Sequence, residues 1–286
     1  MIFTLGFRKR DATANPHSEL TMMTRAYPIE VTNERFNKIP EATIIFWVIK
    51  LLSTTVGETG ADYLAVGVGL GALVTSLICS ALLVAALALQ IRSRAYVPWI
   101  YWLTVVLVSI VGTQITDALT DGLSVSLYVS TSVFAVCLAT VFLAWYRAEG
   151  TLSIHSINTR SREFFYWAAI LVTFALGTAA GDLATEALGL GFALGIVVFG
   201  GLIALTSFAC FLGAGSVLTF WIAYILTRPL GASLGDLLSQ SRTYGGLGWG
   251  SVGTSIVFLS VIVALVIYVS ISRPSRTKSL RAVSKP

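Results

Sequence analysis

FWVIKLLSTTVGETGAD, residues 46–62, returns three times without a gap: YWLTVVLVSIVGTQITD at 101–117, YWAAILVTFALGTAAGD at 166–182 and FWIAYILTRPLGASLGD at 220–236. Each copy opens on an aromatic-Trp pair (Trp47, Trp102, Trp167, Trp221). Each has Gly ten residues after the Trp (Gly57, Gly112, Gly177, Gly231) and Asp fifteen after it (Asp62, Asp117, Asp182, Asp236). Trp is rare and Asp within an apolar run is rarer, so coincidence does not compete with internal repetition.

Trp-to-Trp spacings of 55, 65 and 54 leave room for two membrane spans per repeat. A helix needs roughly 20 apolar residues to cross a bilayer. Eight apolar segments meet that length, near 42–61, 68–91, 97–117, 123–146, 164–182, 188–213, 216–236 and 251–272. The expected fold is therefore all-α: a polytopic membrane protein of eight transmembrane helices in four tandem, parallel two-helix repeats. This differs from the inverted repeats common in secondary transporters. Odd-numbered helices carry the signature and are expected at the centre. The even ones, plainly apolar with small residues such as Gly200, Gly201 and Gly213, are expected nearer lipid. A pseudo-fourfold ring and a two-plus-two arrangement both satisfy the pattern.

Composition agrees. Of 286 residues 56% are hydrophobic and 12% charged, with a mean hydropathy of +0.82, whereas soluble domains carry about 25% charged residues. An ordinary soluble enzyme is excluded. The net charge of +5 is no sign of a nucleic-acid partner, because all Lys and Arg but Lys50, Arg228 and Arg242 sort to one face: the two tails and the loops after the second and fourth spans. The positive-inside rule then puts both termini in the cytoplasm. The expected division is a cytoplasmic tail at 1–39, repeats one and two at 40–146, a connector at 147–163, repeats three and four at 164–272 and a basic tail at 273–286. Residues 1–39 are not expected to form a signal peptide, and Met22-Met23 leaves 1–22 open to being an over-extended start. Cys79, Cys137 and Cys210 sit in apolar runs and form no disulfide or metal spacing.

On this signature the chain resembles a bacterial family of uncharacterised membrane-anchored proteins, built from four tandem two-helix repeats of unknown function, each with a characteristic tryptophan. The resemblance spans residues 38–272. It implies an eight-helix inner-membrane protein and brings no activity with it.

Chemistry must come from the residues. Steps of 7, 4 and 4 keep helical phase, so Trp, Trp+7, Trp+11 and Trp+15 share a face. The stripes are Trp47, Thr54, Glu58, Asp62; Trp102, Ser109, Thr113, Asp117; Trp167, Phe174, Thr178, Asp182; and Trp221, Arg228, Ala232, Asp236. Each Asp lies roughly 22 Å beyond its Trp, toward the outer side, with Asp121 and Glu186 four residues further on. Glu58, the repeat acids and these two are candidate ligands of an ion path. With Thr54, Thr113 and Thr178 they make a hard oxygen set suited to Mg²⁺, Ca²⁺, Mn²⁺ or Na⁺. Lys50 and Arg228, the latter before Pro229, are candidate internal counter-charges. The repeat glycines are expected to permit close helix crossing.

The expected function is transport of a small inorganic cation, with possible proton coupling, and the expected partners are the lipid bilayer and that cation or proton. An organic-amine carrier using the Trp residues, and a non-transporting scaffold, remain alternatives. In the bland reading the Asp residues are helix caps, the Trp residues an interfacial belt, and Arg228 neutralises Asp236. No Ser-His pair, HExxH or paired histidines occur, so neither an enzyme nor a cofactor is expected. The Gly-rich run 245–250 lacks the Lys-Ser/Thr of a phosphate loop.

Overall fold

The computed structural model describes residues 37–63 and 71–272; of the expected tails at 1–39 and 273–286, residues 1–36 and 273–286 lie outside the described residues. Eight long helices account for most of the rest: α1 (Ile44–Asp62), α2 (Ala72–Arg92), α3 (Pro98–Asp117), α4 (Leu127–Glu149), α5 (Arg160–Asp182), α6 (Gly191–Phe211), α7 (Ser216–Ser239) and α8 (Gly250–Ser272). All eight are long and apolar enough to cross a membrane. Local chemistry sets several boundaries. The Thr43 hydroxyl accepts from the Phe46 amide at 3.3 Å and starts α1. Pro98 opens α3 at a position where its missing N–H costs nothing. The Thr159 hydroxyl caps α5 through the Arg162 amide.

The even and odd helices part company in burial. The odd spans are 61–78% buried against 11–22% for the even ones. Helix α1 packs on α3, α3 on α5, α5 on α7 and α7 back on α1. The four odd helices thus form a closed ring, and the two-plus-two alternative is set aside. The even helices clothe this ring in a regular way. Each packs chiefly on the odd helix of the following repeat: α2 on α3, α4 on α5, α6 on α7, and α8 on α1.

The repeat signature explains the ring. At every interface the glycine of one helix meets the Trp+7 residue of the next. A methyl group on Gly57 would collide with Ser109, one on Gly112 with Phe174, one on Gly177 with Arg228 and one on Gly231 with Thr54. A Cβ at Gly112 would stand 2.6 Å from Phe174 Cβ, and one at Gly177 2.5 Å from Arg228 Cβ. Only a residue without a side chain permits backbones this close. The aromatic-Trp pair does the same work one end lower, since the first ring of each pair packs on the Trp of the next helix. Phe46 lies 5.5 Å from Trp102, Tyr101 5.6 Å from Trp167, Tyr166 6.2 Å from Trp221 and Phe220 5.5 Å from Trp47. Such pairs each add about 0.5–1.5 kcal/mol beyond area burial.

At the opposite end α3 and α5 continue past the repeat Asp as single π-turns, Ala118–Gly122 and Leu183–Ala187. These carry Asp121 and Glu186. The Asp117 and Asp182 side chains make no capping hydrogen bond to the turn that follows them.

Candidate functional site

Inside the ring the residues that face the axis recur every fourth position. At Trp+3 stand Lys50, Val105, Ile170 and Tyr224, and at Trp+7 Thr54, Ser109, Phe174 and Arg228; all eight are fully buried. Glu58, Thr113, Thr178 and Ala232 form a third buried layer at Trp+11. The repeat Asp residues come next: Asp117, Asp182 and Asp236 are half-buried, while Asp62 ends α1 and its side chain lies outside the described residues.

Two long cationic side chains cross this axis. Arg228, on α7, sends Nη2 to Glu58 Oε2 on α1 at 2.6 Å and to the Thr113 hydroxyl on α3, the helix diagonally opposite. The sequence left open a pairing of Arg228 with Asp236; the hydrogen-bonded partner is Glu58. Lys50, on α1, reaches the opposite diagonal. Its Nζ stands 4.1 Å from the centre of the Phe174 ring on α5 and 4.2 Å from that of Tyr224 on α7. This ammonium makes no hydrogen bond, and neither do Arg228 Nε and Nη1. Around them the hydroxyls satisfy their own donors within their helices, Thr113 on the Ser109 carbonyl at 3.1 Å and Thr178 on the Phe174 carbonyl at 3.0 Å, which leaves their lone pairs for the axis. Thr54 bonds the Leu51 carbonyl and reaches Thr227 on α7 at 3.3 Å.

The acids gather at the Asp end. Asp182 lies within electrostatic reach of Glu58, Glu186 and Asp236, and also of Arg228. Glu186 is within reach of Asp121 and Glu58. Exposed Asp121 and Glu186 form the rim and Glu58 the floor. Among the described residues no three His, Cys, Asp or Glu side chains stand close enough to hold a metal ion. The described acids thus form a loose vestibule of negative charge above the arginine-held Glu58.

The Trp end is shut by aromatic rings. The hydroxyls of Tyr101 and Tyr166 hydrogen-bond at 2.6 Å. Trp102 donates to the Tyr96 hydroxyl at 3.1 Å and Trp221 to the Leu152 carbonyl at 3.0 Å. Trp102, Trp167 and Trp221 are buried between helices and form no lipid-facing belt. Beyond this plug, Lys38 Nζ meets Glu163 Oε2 at 2.6 Å and the Ile91 carbonyl at 3.1 Å, and the Gln90 amide donates to Glu163 Oε1 at 3.3 Å. This buried knot ties the approach to α1, the end of α2 and the start of α5. The sequence reading missed it, counting Lys38 with the tail and Glu163 with the connector; nothing in the repeat alignment marks either residue. Lys38→Met is expected to cost about 1–2 kcal/mol by stranding the Glu163 carboxylate, read as a lower thermal midpoint that Lys38→Met/Glu163→Gln partly restores.

A separate cavity of about 580 Å³ opens between α1, α6 and α7 near the Trp end. Its wall includes Trp47, Phe220, Cys210 and His155. Trp47 is the one repeat Trp that lines it, and no carboxylate does.

Comparison with known proteins identifies the architecture and no activity. A family model described as Repeat of Unknown Function (DUF347) matches four times, at residues 45–96, 100–151, 165–213 and 219–275. No curated protein matches the chain, and neither does any solved structure.

Proposed function

Because this chain belongs to the DUF347 repeat family, which carries no activity in its description, we propose from its own residues that it is a multi-pass inner-membrane carrier of a small inorganic cation, coupled to protons, with the ring axis as its path. The odd helices run parallel, both termini are cytoplasmic and the Asp end faces outward. The recurrence of one glycine contact and one aromatic contact at four successive interfaces supports the parallel arrangement, and the basic loops support the orientation. No catalytic constellation and no nucleic-acid surface enter this reading.

The observation that carries it is Arg228 reaching across the ring to Glu58 beneath a vestibule of acids. Carboxylates at the mouth concentrate cations locally. A cation or proton that reaches Glu58 competes directly with the guanidinium. A buried charge stranded from its partner is costly, and the negative charge of Asp182, which interacts electrostatically with Arg228, offsets part of that cost while Glu58 is occupied. Passage to the cytoplasm then requires the aromatic plug to part. The organic-amine alternative draws less support, since the 580 Å³ cavity offers an ammonium no counter-charge.

The test is flux into proteoliposomes, with a panel of cations outside and a pH dye within. Wild-type protein is expected to carry at least one cation with a matching proton signal. Glu58→Gln and Asp182→Asn should each lower that flux 10-fold or more, while rim variant Asp121→Asn lowers it only a few-fold and mainly at low salt, where steering matters. Absence of flux for every cation in folded wild-type protein sinks the proposal.

A further inference from the structure

We propose that the aromatic plug at the Trp end, while closed to metal cations, passes protons along a relay of four tyrosine hydroxyls, Tyr224, Tyr166, Tyr101 and Tyr96. The proposal rests on the reading of the ring axis as a path. It adds what moves the coupled proton through the stretch of that path where no acid stands. The position before each repeat Trp shows why these hydroxyls call for an explanation. Phe46 and Phe220 fill it on α1 and α7 with plain rings. Tyr101 and Tyr166, at the equivalent positions of α3 and α5, pack on the next Trp in the same way and carry a hydroxyl besides. Both are fully buried, where a hydroxyl costs stability unless it is hydrogen-bonded.

The hydroxyls line up. Those of Tyr101 and Tyr166 bond one another at 2.6 Å. On the axial side Tyr224 of α7, also fully buried, brings its hydroxyl within interacting reach of Tyr166, short of a full hydrogen bond. On the other side Tyr96, in the loop before α3 and 7% exposed, is within electrostatic reach of both Tyr101 and Tyr166, and Trp102 donates to its oxygen at 3.1 Å. The series therefore runs from the Trp+3 layer through the plug to the loop joining α2 and α3.

A hydroxyl is donor and acceptor at once. Each tyrosine oxygen takes a proton from one neighbour while its own passes to the next, so no oxygen gains a proton in net terms and no other bond changes. The hydroxyls then turn back to their first orientation. A hard metal cation cannot follow, since it needs about six oxygen ligands and the plug offers rings and single hydroxyls. The unmade bond between Tyr224 and Tyr166 is the break in the relay, closed by a small movement of the Tyr224 ring.

The test follows protons into dye-loaded proteoliposomes of full-length protein, driven by a potassium–valinomycin potential, with the cation panel present in one series and absent in the other. Wild type is expected to admit protons faster than empty liposomes in at least one series. Tyr101→Phe/Tyr166→Phe keeps both rings and removes both hydroxyls, stranding neither, so it should fold with a near-native thermal midpoint. Its proton entry should fall at least ~10-fold, as should that of Tyr224→Phe, while Tyr128→Phe, exposed on α4, changes nothing. Proton entry that needs no cation and is lost in the double variant keeps the relay even if no cation is carried. Cation flux whose proton signal survives the double variant overturns the relay and leaves the carrier standing. Wild type that admits no protons in either series overturns the relay as well.

Discussion

Arg228→Met is expected to destabilise the protein by about 3–5 kcal/mol, the usual consequence of deleting one member of a buried ion pair. The guanidinium is fully buried, bonds Glu58 on the neighbouring helix and Thr113 on the opposite one, and packs by its stem against Gly177. Methionine keeps most of that stem, so the loss isolates the charge. What remains is the Glu58 carboxylate facing Asp182 and Glu186 with its counter-ion gone. Glu58→Gln alone should be milder, because Arg228 retains Thr113 and has Asp182 in reach. Arg228→Met/Glu58→Gln should recover most of the stability lost in Arg228→Met, since no bare charge is then left at the floor of the vestibule. Thermal midpoints in detergent for the three variants and wild type complete the cycle. If the double variant is no more stable than Arg228→Met, the pair is not what holds Glu58.

Gly112→Ala should be nearly as damaging as a lost ion pair, at or beyond the top of the ~1–3 kcal/mol typical of overpacking. A Cβ there would meet Phe174 Cβ at 2.6 Å, and the Phe174 carbonyl carbon and Ala175 nitrogen at 3.3 Å. Backbone atoms cannot rotate out of the way, so the two helices must separate. Phe174 is also the ring beneath Lys50, and a shift there disturbs the axis as well as the interface. Gly60→Ala is the matched control. It lies in the last turn of α1, its Cβ would find nothing nearer than 3.9 Å, and replacing a helical glycine by alanine where space allows ordinarily gains up to about 0.5–1 kcal/mol. Gel-filtration profiles and thermal midpoints should therefore move in opposite directions for the two variants. Similar behaviour of both would mean that the glycine contacts do not hold the ring together.

Much of this was legible in the chain. Trp, Gly and Asp at fixed offsets announced four units and central odd helices, because packing about a repeated axis demands the same small or aromatic residue at each interface. The layer at Trp+3 was not legible for the complementary reason. Lys50, Val105, Ile170 and Tyr224 have nothing in common, so alignment hides them, although a four-residue step from Trp+7 leads to each. The ring before each Trp also belongs to the interior, where the Tyr101 and Tyr166 hydroxyls meet. Arg228 and Glu58 were both recognised as candidates, yet no spacing rule connects residues on helices one and seven. Only closure of the ring, which puts α7 beside α1, makes them neighbours. The even helices' preference for the following repeat is likewise a long-range property that no local periodicity expresses.

The closed ring has a consequence for what one chain achieves that four separate ones do not. Four identical two-helix subunits around a common axis would repeat every axial side chain fourfold. A lysine at Trp+3 would then mean four ammoniums crowded on one line in hydrocarbon, and an arginine at Trp+7 four guanidiniums above them, an arrangement the dielectric forbids. Symmetry would confine such an assembly to neutral axial residues. Joining the copies into a single polypeptide releases each position to diverge, so that one Lys, one Arg and one Glu stand among Val, Ile, Ser, Thr and Phe at equivalent sites. Covalent fusion thus makes single copies of Lys, Arg and Glu on the axis of a fourfold scaffold physically permissible.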